Sequence, residues 1–408
     1  MPFPYSPDTV GFCISKVVDL ADRDDLFEHL PNERIAELSR SSGQPGFRDA
    51  AHVLRAAGIR SRRILRPDVT PVDLAIHLLQ DLTTAAEPLT DNCVILLAHS
   101  HAIPAAASDL AGQLARQLHL PQNQVLGFNP GCTGFLMLLR HAQQLLNQPA
   151  SPSRVILLHV ETPETWHCAA DRQFCGLVGA AATGCVVQLS VGPLEILQLS
   201  TDSRPITPSA QVAPGPLFHA ELNQCVSFRG EHQQQTVMRM HGEAVYLHGI
   251  QRLLTELHAA AAAISALPAS RPATTPPVIV AHQPGGKLLR AFQAAVRTEF
   301  PAWPVLANLL EQGNTISATI PAQLARLQQL LAEQTTVPYR PGQLLILLAA
   351  GIDMQRPADH LRGGWAIVRI GADDTPVRDT ADTSDTSDTS DTSDTSDTAD
   401  TSGTSTAE

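Results

Sequence analysis

The chain has 408 residues, of which 43% are hydrophobic, 17% charged and only 4% aromatic. That apolar share excludes a wholly disordered chain, and no apolar run approaches the roughly 18 residues a membrane-spanning helix needs. The formal charge is −12, but ten Asp, one Glu and one Arg fall in residues 373–408, leaving about −2 for residues 1–372; such a body has no net basic field for binding nucleic acid.

This length accommodates two or three domains of common size or one large pseudo-duplicated fold. The opening stretch MPFPYSPDTVGFCISKVVDLADRDDLFEHL has no basic region followed by an apolar run, so no secretion signal is expected and the cytoplasm is the expected compartment. The seven cysteines, at positions 13, 93, 132, 168, 175, 185 and 225, include no CxxC pair. They suggest neither a zinc site nor a disulfide framework, and no metal or cofactor is expected.

NCVILLAHS (92–100) is a short continuous apolar run that predicts a buried strand, and SDLAGQLARQLHL after it reads as a helix. His99 and His101 flank Ser100 at the end of that strand, but two imidazoles without a third ligand nearby make a poor metal site. QVLGFNPG leads into NPGCTGFLMLLRHAQQLL (129–146), a turn and then a long helical run with Cys132 at its start. SRVILLHVE (153–161) is the next buried strand, and GLVGAAATGCVVQLSV closes this half. SRPITPSAQVAPGPL (203–217) and LPASRPATTPPV (267–278) are rich in Pro, Ser and Thr and predict loops.

Between those loops, TVMRMHGEAVYLHGIQRLLTELHAAAAAI (236–264) reads as helical. Its His241, Glu243 and His248 lack HExxH spacing and are assigned to the helix surface or its packing. PPVIVAHQ is a strand ending near His282, GGKLLRAFQAAVRTEF a helix, and Asn314 sits in a turn before a helix that begins near Ile320. QLLILLAAG and WAIVRI are further strands. Apolar strands separated by helices predict an α/β fold with sheets covered on both faces. The final DTADTSDTSDTSDTSDTSDTADTSGTSTAE has no side chain able to build a core and predicts a solvated, self-repelling tether.

A thiol titrates near about pH 8.5, and the partial positive charge of a helix N-terminus is expected to lower that value and populate the nucleophilic thiolate. The Asn129-Pro130-Gly131 turn allows a sharp strand-to-helix reversal, and Gly134 leaves room above the sulfur. A lone cysteine at a helix start is still more often a packed hydrophobe. A strand-end His282 is by itself more often structural, and Asn314 after a glycine usually makes a turn or cap. Together the three residue types form a set suited to thioester chemistry.

GFNPGCTGFL, IVAHQPGGKLLRAF and GNTISATIPAQL, in that order and at those separations, resemble the three active-site motifs of the β-ketoacyl-ACP synthase III family of the thiolase superfamily. AAGIRSRRI (56–64), VILLAHSHAIPAAASDLAGQLARQLHLP (94–121), GLVGAAATGCVV (176–187) and MHGEAVYLHGIQRLL (240–254) agree with it. The resemblance implies an α/β, thiolase-like fold of two related βαβαβαββ halves in five layers, usually a homodimer. The halves are placed at 1–195, with Cys132, and 196–371, with His282 and Asn314; 372–408 is the acidic tail. It further implies that Cys132 accepts an acyl group and that His282 and Asn314 complete a catalytic triad.

The implied partners are an acyl-CoA or acyl-ACP primer and a malonyl- or β-ketoacyl-carrier protein. Lys287 stands where the family often has a basic residue for docking an acidic carrier, and Arg290 and Arg297 share its helix; a merely solvated helix face is the alternative. Three departures are visible. No counterpart of the family's adenine-stacking Trp is found in HLPNERIAELSRSSGQPGF, Gly285 replaces a familiar Asn, and Ala180 stands where an acid is usual. They favour a specialised condensing enzyme of polyketide or lipid biosynthesis over a housekeeping fatty-acid initiator. Acyl transfer from the cysteine to an oxygen or nitrogen acceptor, or a non-catalytic subunit of a heterodimer, are the alternatives.

Overall fold

Strands without polar alternation need cover on both faces, and this chain supplies it with helices on either side. A computed structural model describes residues 11–41, 45–84, 87–90, 92–207, 215–268 and 275–371, so the acidic tail lies outside the described residues.

In chain order the elements are β1 (Phe12–Asp19), β2 (Phe27–Pro31), α1 (Asn32–Leu38), α2 (Ala50–Ala57), β3 (Ser61–Leu65), α3 (Pro71–Leu82), β4 (Cys93–Ala98), α4 (Ala106–Gln117), β5 (Val125–Phe128), α5 (Gly134–Leu146), β6 (Arg154–Glu161) and β7 (Ala181–Leu189). There follow β8 (Leu194–Pro205), β9 (Phe218–Val226), β10 (His232–Met240), α6 (Gly242–Ser265), β11 (Val278–Ala281), α7 (Gly286–Glu299), α8 (Leu309–Gln312), α9 (Thr319–Ala325), α10 (Leu327–Gln334), β12 (Leu344–Ile352) and β13 (His360–Ile370).

Nine strands form a sheet in the order β11-β12-β13-β8-β1-β7-β6-β4-β5. The pattern repeats within it. β1, β7, β6, β4 and β5 are matched by β8, β13, β12 and β11, and Val305 bridges β11 in parallel at the place that corresponds to β5. The two stretches meet where β1 and β8 pair antiparallel, Cys13 opposite Glu195 and Ile14 opposite Leu194.

Helices then make the layers. α3 and α4 place Leu78 and Leu114 against Ile95 and Ile156 on one outer face. α6 and α7 place Leu257 and Phe292 against Ile279 and Ile346 on the other. Between them, α5 and α9 bring Leu138 and Leu324 into a core shared by strands of both stretches, among them Leu157 and Leu347. The result is α, β, α, β, α, with β6 and β12 buried at every residue. Each large apolar side chain buried this way contributes about 1.5–3 kcal/mol.

One expectation is corrected. Residues 236–240 are not helical: they end β10, which pairs with β9 from His232 opposite Val226 to Met240 opposite Phe218. The helix starts only at Gly242, where the His241 ring accepts a hydrogen bond from the Ala244 N–H at 3.2 Å. A short apolar run carries no period that separates strand from helix, and here distant pairing decides. Residues 203–205, expected in a loop, complete β8, while 208–214 lie outside the described residues.

Leu157 is fully buried in the central core. Leu157→Ala is expected to lower stability by about 2–5 kcal/mol, read as a lower denaturant midpoint at an unchanged slope.

Candidate active site

The nucleophile candidate stands on a turn clasped from two sides. After β5, the Asn129 side chain accepts from the His101 N–H at 3.1 Å and donates to the His101 carbonyl at 2.8 Å, fixing the turn to the loop that follows β4. Gly131 has φ 66°, and a Cβ there would lie 2.8 Å from the Ile352 carbonyl oxygen. A Cβ on Gly351 would lie 2.6 Å from Cys132 Cβ. Only glycine fits at either place, so the end of β12 presses directly on the cysteine.

Cys132 lies in a single 3-10 turn, Gly131–Thr133, and α5 begins at Gly134. Its thiol is pushed up to about 12, first by burial and next by the negative charge of Glu161. This corrects the expectation of a lowered value. A helix terminus is worth at most about 2 kcal/mol, or about 1.5 pH units, and desolvation of a thiolate in an enclosed site outweighs it.

His282 follows β11, its N–H continuing the strand pairing to the Leu348 carbonyl at 2.8 Å. Its side chain is buried, and its ring faces the backbone at Ile316. Burial holds it down to about 4, opposed by the backbone at Ile316, so the imidazole is neutral at pH 7.

Asn314 follows Gly313, whose φ is 73°. Its amide oxygen accepts from the Ile316 N–H at 3.0 Å and its amide nitrogen donates to the Pro284 carbonyl at 3.3 Å. Ile316 itself has φ 51°, a left-handed conformation that a β-branched residue adopts only when its surroundings impose it.

A cavity of ≈ 270 Å³ brings two of the three expected residues together, Cys132 and Asn314. His282 is not one of its lining residues; Pro284 and Ile316, on either side of it, are. Elsewhere the wall is largely apolar and includes Trp166, Met238, Met240 and Met354.

No family model matches the chain. A curated β-ketoacyl-[acyl-carrier-protein] synthase III of Prochlorococcus marinus is 26% identical over 338 residues, spanning 81% of this chain and 93% of that protein. Among solved structures, 3-oxoacyl-(acyl carrier protein) synthase III from Pseudomonas aeruginosa superposes with a TM-score of 0.59 at 20% identity, covering 89% of this chain and 98% of that one. A priming β-ketosynthase from a polyketide biosynthetic pathway gives 0.61 at 16% identity, covering 91% and 99%. The chain is a relative of the synthase III proteins and shares their thiolase-like fold.

The remaining expected residues fall as follows. Lys287 is exposed yet lines the cavity, its ammonium 4.6 Å from the Tyr246 ring centroid. Arg290 and Arg297 are exposed on the same helix, α7. His99 is buried with Nδ1 2.7 Å from the Val160 carbonyl, and no metal-binding group of His, Cys, Asp or Glu occurs among the described residues. Sequence reasoning missed Glu161, which is buried and acts electrostatically on Cys132. The signal was available: a carboxylate ending an otherwise apolar strand.

Because the thiolate is disfavoured, iodoacetamide is expected to alkylate Cys132 at pH 7 at least tenfold more slowly than an ordinary thiol, with a rate still rising above pH 10. Intact mass against time and pH measures this, and a plateau below pH 9 would show that the helix terminus prevails.

Proposed function

We propose that this protein is a β-ketoacyl synthase III-like condensing enzyme, joining an acyl group carried on Cys132 to a malonyl- or β-ketoacyl-thioester by Claisen condensation. The observation that carries this reading is the apolar cavity shared by the Cys132 thiol and the Asn314 carboxamide. In the first half-reaction Cys132 sulfur attacks the acyl thioester, the carbon–sulfur bond of the donor breaks, and the departing thiolate takes up the proton that the cysteine loses. Backbone N–H groups at Cys132 and in a facing loop are the proposed donors to the oxyanion.

In the second half-reaction the malonyl carbon–carbon bond breaks, carbon dioxide leaves and an enolate forms. Asn314 and neutral His282 are the proposed donors to its oxygen, and each such donor contributes about 2.7–4 kcal/mol to the transition state. The enolate carbon then attacks the acyl-cysteine, and sulfur departs as thiolate to be reprotonated. Simple acyl transfer would not require Asn314, which disfavours that reading.

Several features support the finer assignments. The proposed halves are 1–195 and 196–371, and the repeated strand order supports a division into two. The exposed cations Lys287 and Arg290 near the cavity suit an acidic carrier protein, and CoA serves as well for a primer. β5 ends the sheet with Leu126 exposed, an edge that suits pairing with a second copy in a homodimer. A pathway of polyketide or lipid biosynthesis in the cytoplasm is the proposed setting, and no helix among the described residues is long and apolar enough to cross a membrane.

Intact-mass measurement after incubation with acyl-CoA and acyl-carrier substrates is expected to show one acyl adduct, lost in Cys132→Ala; no adduct with any thioester would overturn the reading. Asn314→Ala is expected to reduce carbon dioxide release from malonyl-carrier protein about 10²–10³-fold, measured with labelled malonyl groups. Lys287→Glu is expected to raise KM about tenfold or more for a carrier-bound substrate and little for a small thioester, and equal effects on both would exclude docking there.

A further inference from the structure

β6 is buried along its whole length, yet it ends in a carboxylate. Glu161 is fully buried, and its hydrogen bonds reach two other segments. The Ser100 N–H donates to Oε2 at 3.0 Å, the Ser100 hydroxyl to Oε1 at 3.0 Å, and the Ser317 hydroxyl also donates to Oε1. Ser317 Oγ lies 3.1 Å from His159 Nδ1. A hydroxyl has one proton, and giving it to the carboxylate leaves the imidazole N–H to donate to the hydroxyl oxygen.

Each of those segments carries part of the site. Ser100 precedes His101, which Asn129 clasps just ahead of the Cys132 turn. Ser317 follows Ile316, whose strained backbone N–H holds the Asn314 amide oxygen. A Cβ on Gly134, at the start of α5, would lie 2.5 Å from Ser317 Cβ, so this turn is also packed against the nucleophile helix. A buried charge without a cation partner is unfavourable unless its hydrogen bonds compensate, and no ion pair to Glu161 is formed among the described residues. The titratable side chains around it are Cys132 on its turn, His159 on β6 and His99 after β4; burial holds both imidazoles neutral.

We propose that Glu161 is a positioning residue of this site. Through Ser100 and Ser317 its carboxylate ties the Cys132 turn to the Asn314 turn. Where ionised, it also opposes the Cys132 thiolate. The assignment rests on reading Cys132 and Asn314 as the reacting pair. Burial moves its carboxyl up to about 7, so the tie operates as an anion mainly above neutral pH and gains a proton as pH falls below that value.

The test uses full-length Glu161→Gln and Ser317→Ala. Cys132 alkylation by iodoacetamide is followed against pH, and kcat and KM are measured for malonyl-thioester decarboxylation. Glu161→Gln is expected to alkylate at least threefold faster at pH 8, with its profile displaced to lower pH, and to lose at least tenfold in kcat with KM within twofold. Ser317→Ala is expected to lose kcat while shifting the alkylation profile less than Glu161→Gln does, because it breaks the tie and leaves the carboxyl group held by Ser100. A folded Glu161→Gln protein with the wild-type alkylation profile would overturn the charge role, and Ser317→Ala with wild-type kcat would overturn the positioning role. Should Glu161→Gln not fold, Ser100→Ala and Ser317→Ala remove its hydroxyl donors one at a time, and unchanged kcat in both overturns the proposal. Should the wild type itself fail to decarboxylate, the condensation reading fails, while the alkylation profiles still decide whether Glu161 acts on the thiol.

Discussion

The close approach of the Gly131–Cys132 turn to the Gly351–Ile352 end of β12 is the constraint on which this site depends. Neither glycine can carry a side chain without driving a carbon into the facing backbone or into the cysteine. The contact joins a strand-to-helix turn that follows β5 to a strand of the other sheet stretch, so Cys132 is held by elements from both. Rigid strands position such a group more tightly than a free loop would. The central helices α5 and α9 sit between the stretches, and their packing transmits the relation.

Burial then sets the electrostatics. The thiol is driven up and the imidazoles of His282 and His159 are driven down, so at neutral pH all three are uncharged. An enclosed site with neutral donors favours a reaction in which charge appears only when a thioester is present, because the donors need no reorganisation when it does. The same enclosure makes a free thiolate at Cys132 unfavourable, so in the proposed reaction ionisation would accompany attack on the thioester.

The strands were legible because continuous apolar runs such as 92–100 and 153–161 have few other stable placements, and β4 and β6 lie within them. Cys132 and Asn314, each ambiguous by itself, line one cavity as expected, whereas His282, expected with them, does not line it. Two other things were not legible. β10 looked helical because its strand character comes from pairing with β9, a partner separated by a turn and recognisable only in three dimensions. The direction of the Cys132 shift was misjudged because a helix terminus is a local feature, while desolvation and the Glu161 charge are products of packing between segments distant in sequence.

Asn314 shows how two competing readings of one residue are both satisfied. A turn or cap requires an acceptor two residues before a backbone N–H, and its amide oxygen serves Ile316 in that way. A donor for a developing enolate requires an N–H at the cavity, and among the described residues its amide nitrogen donates to the Pro284 carbonyl at 3.3 Å, which uses one of its two protons. Aspartate would keep the turn but, when ionised, would place an acceptor against the Pro284 carbonyl and offer no donor. The carboxamide is therefore selected twice, once by the strained turn that includes Ile316 and once by the chemistry proposed for the cavity.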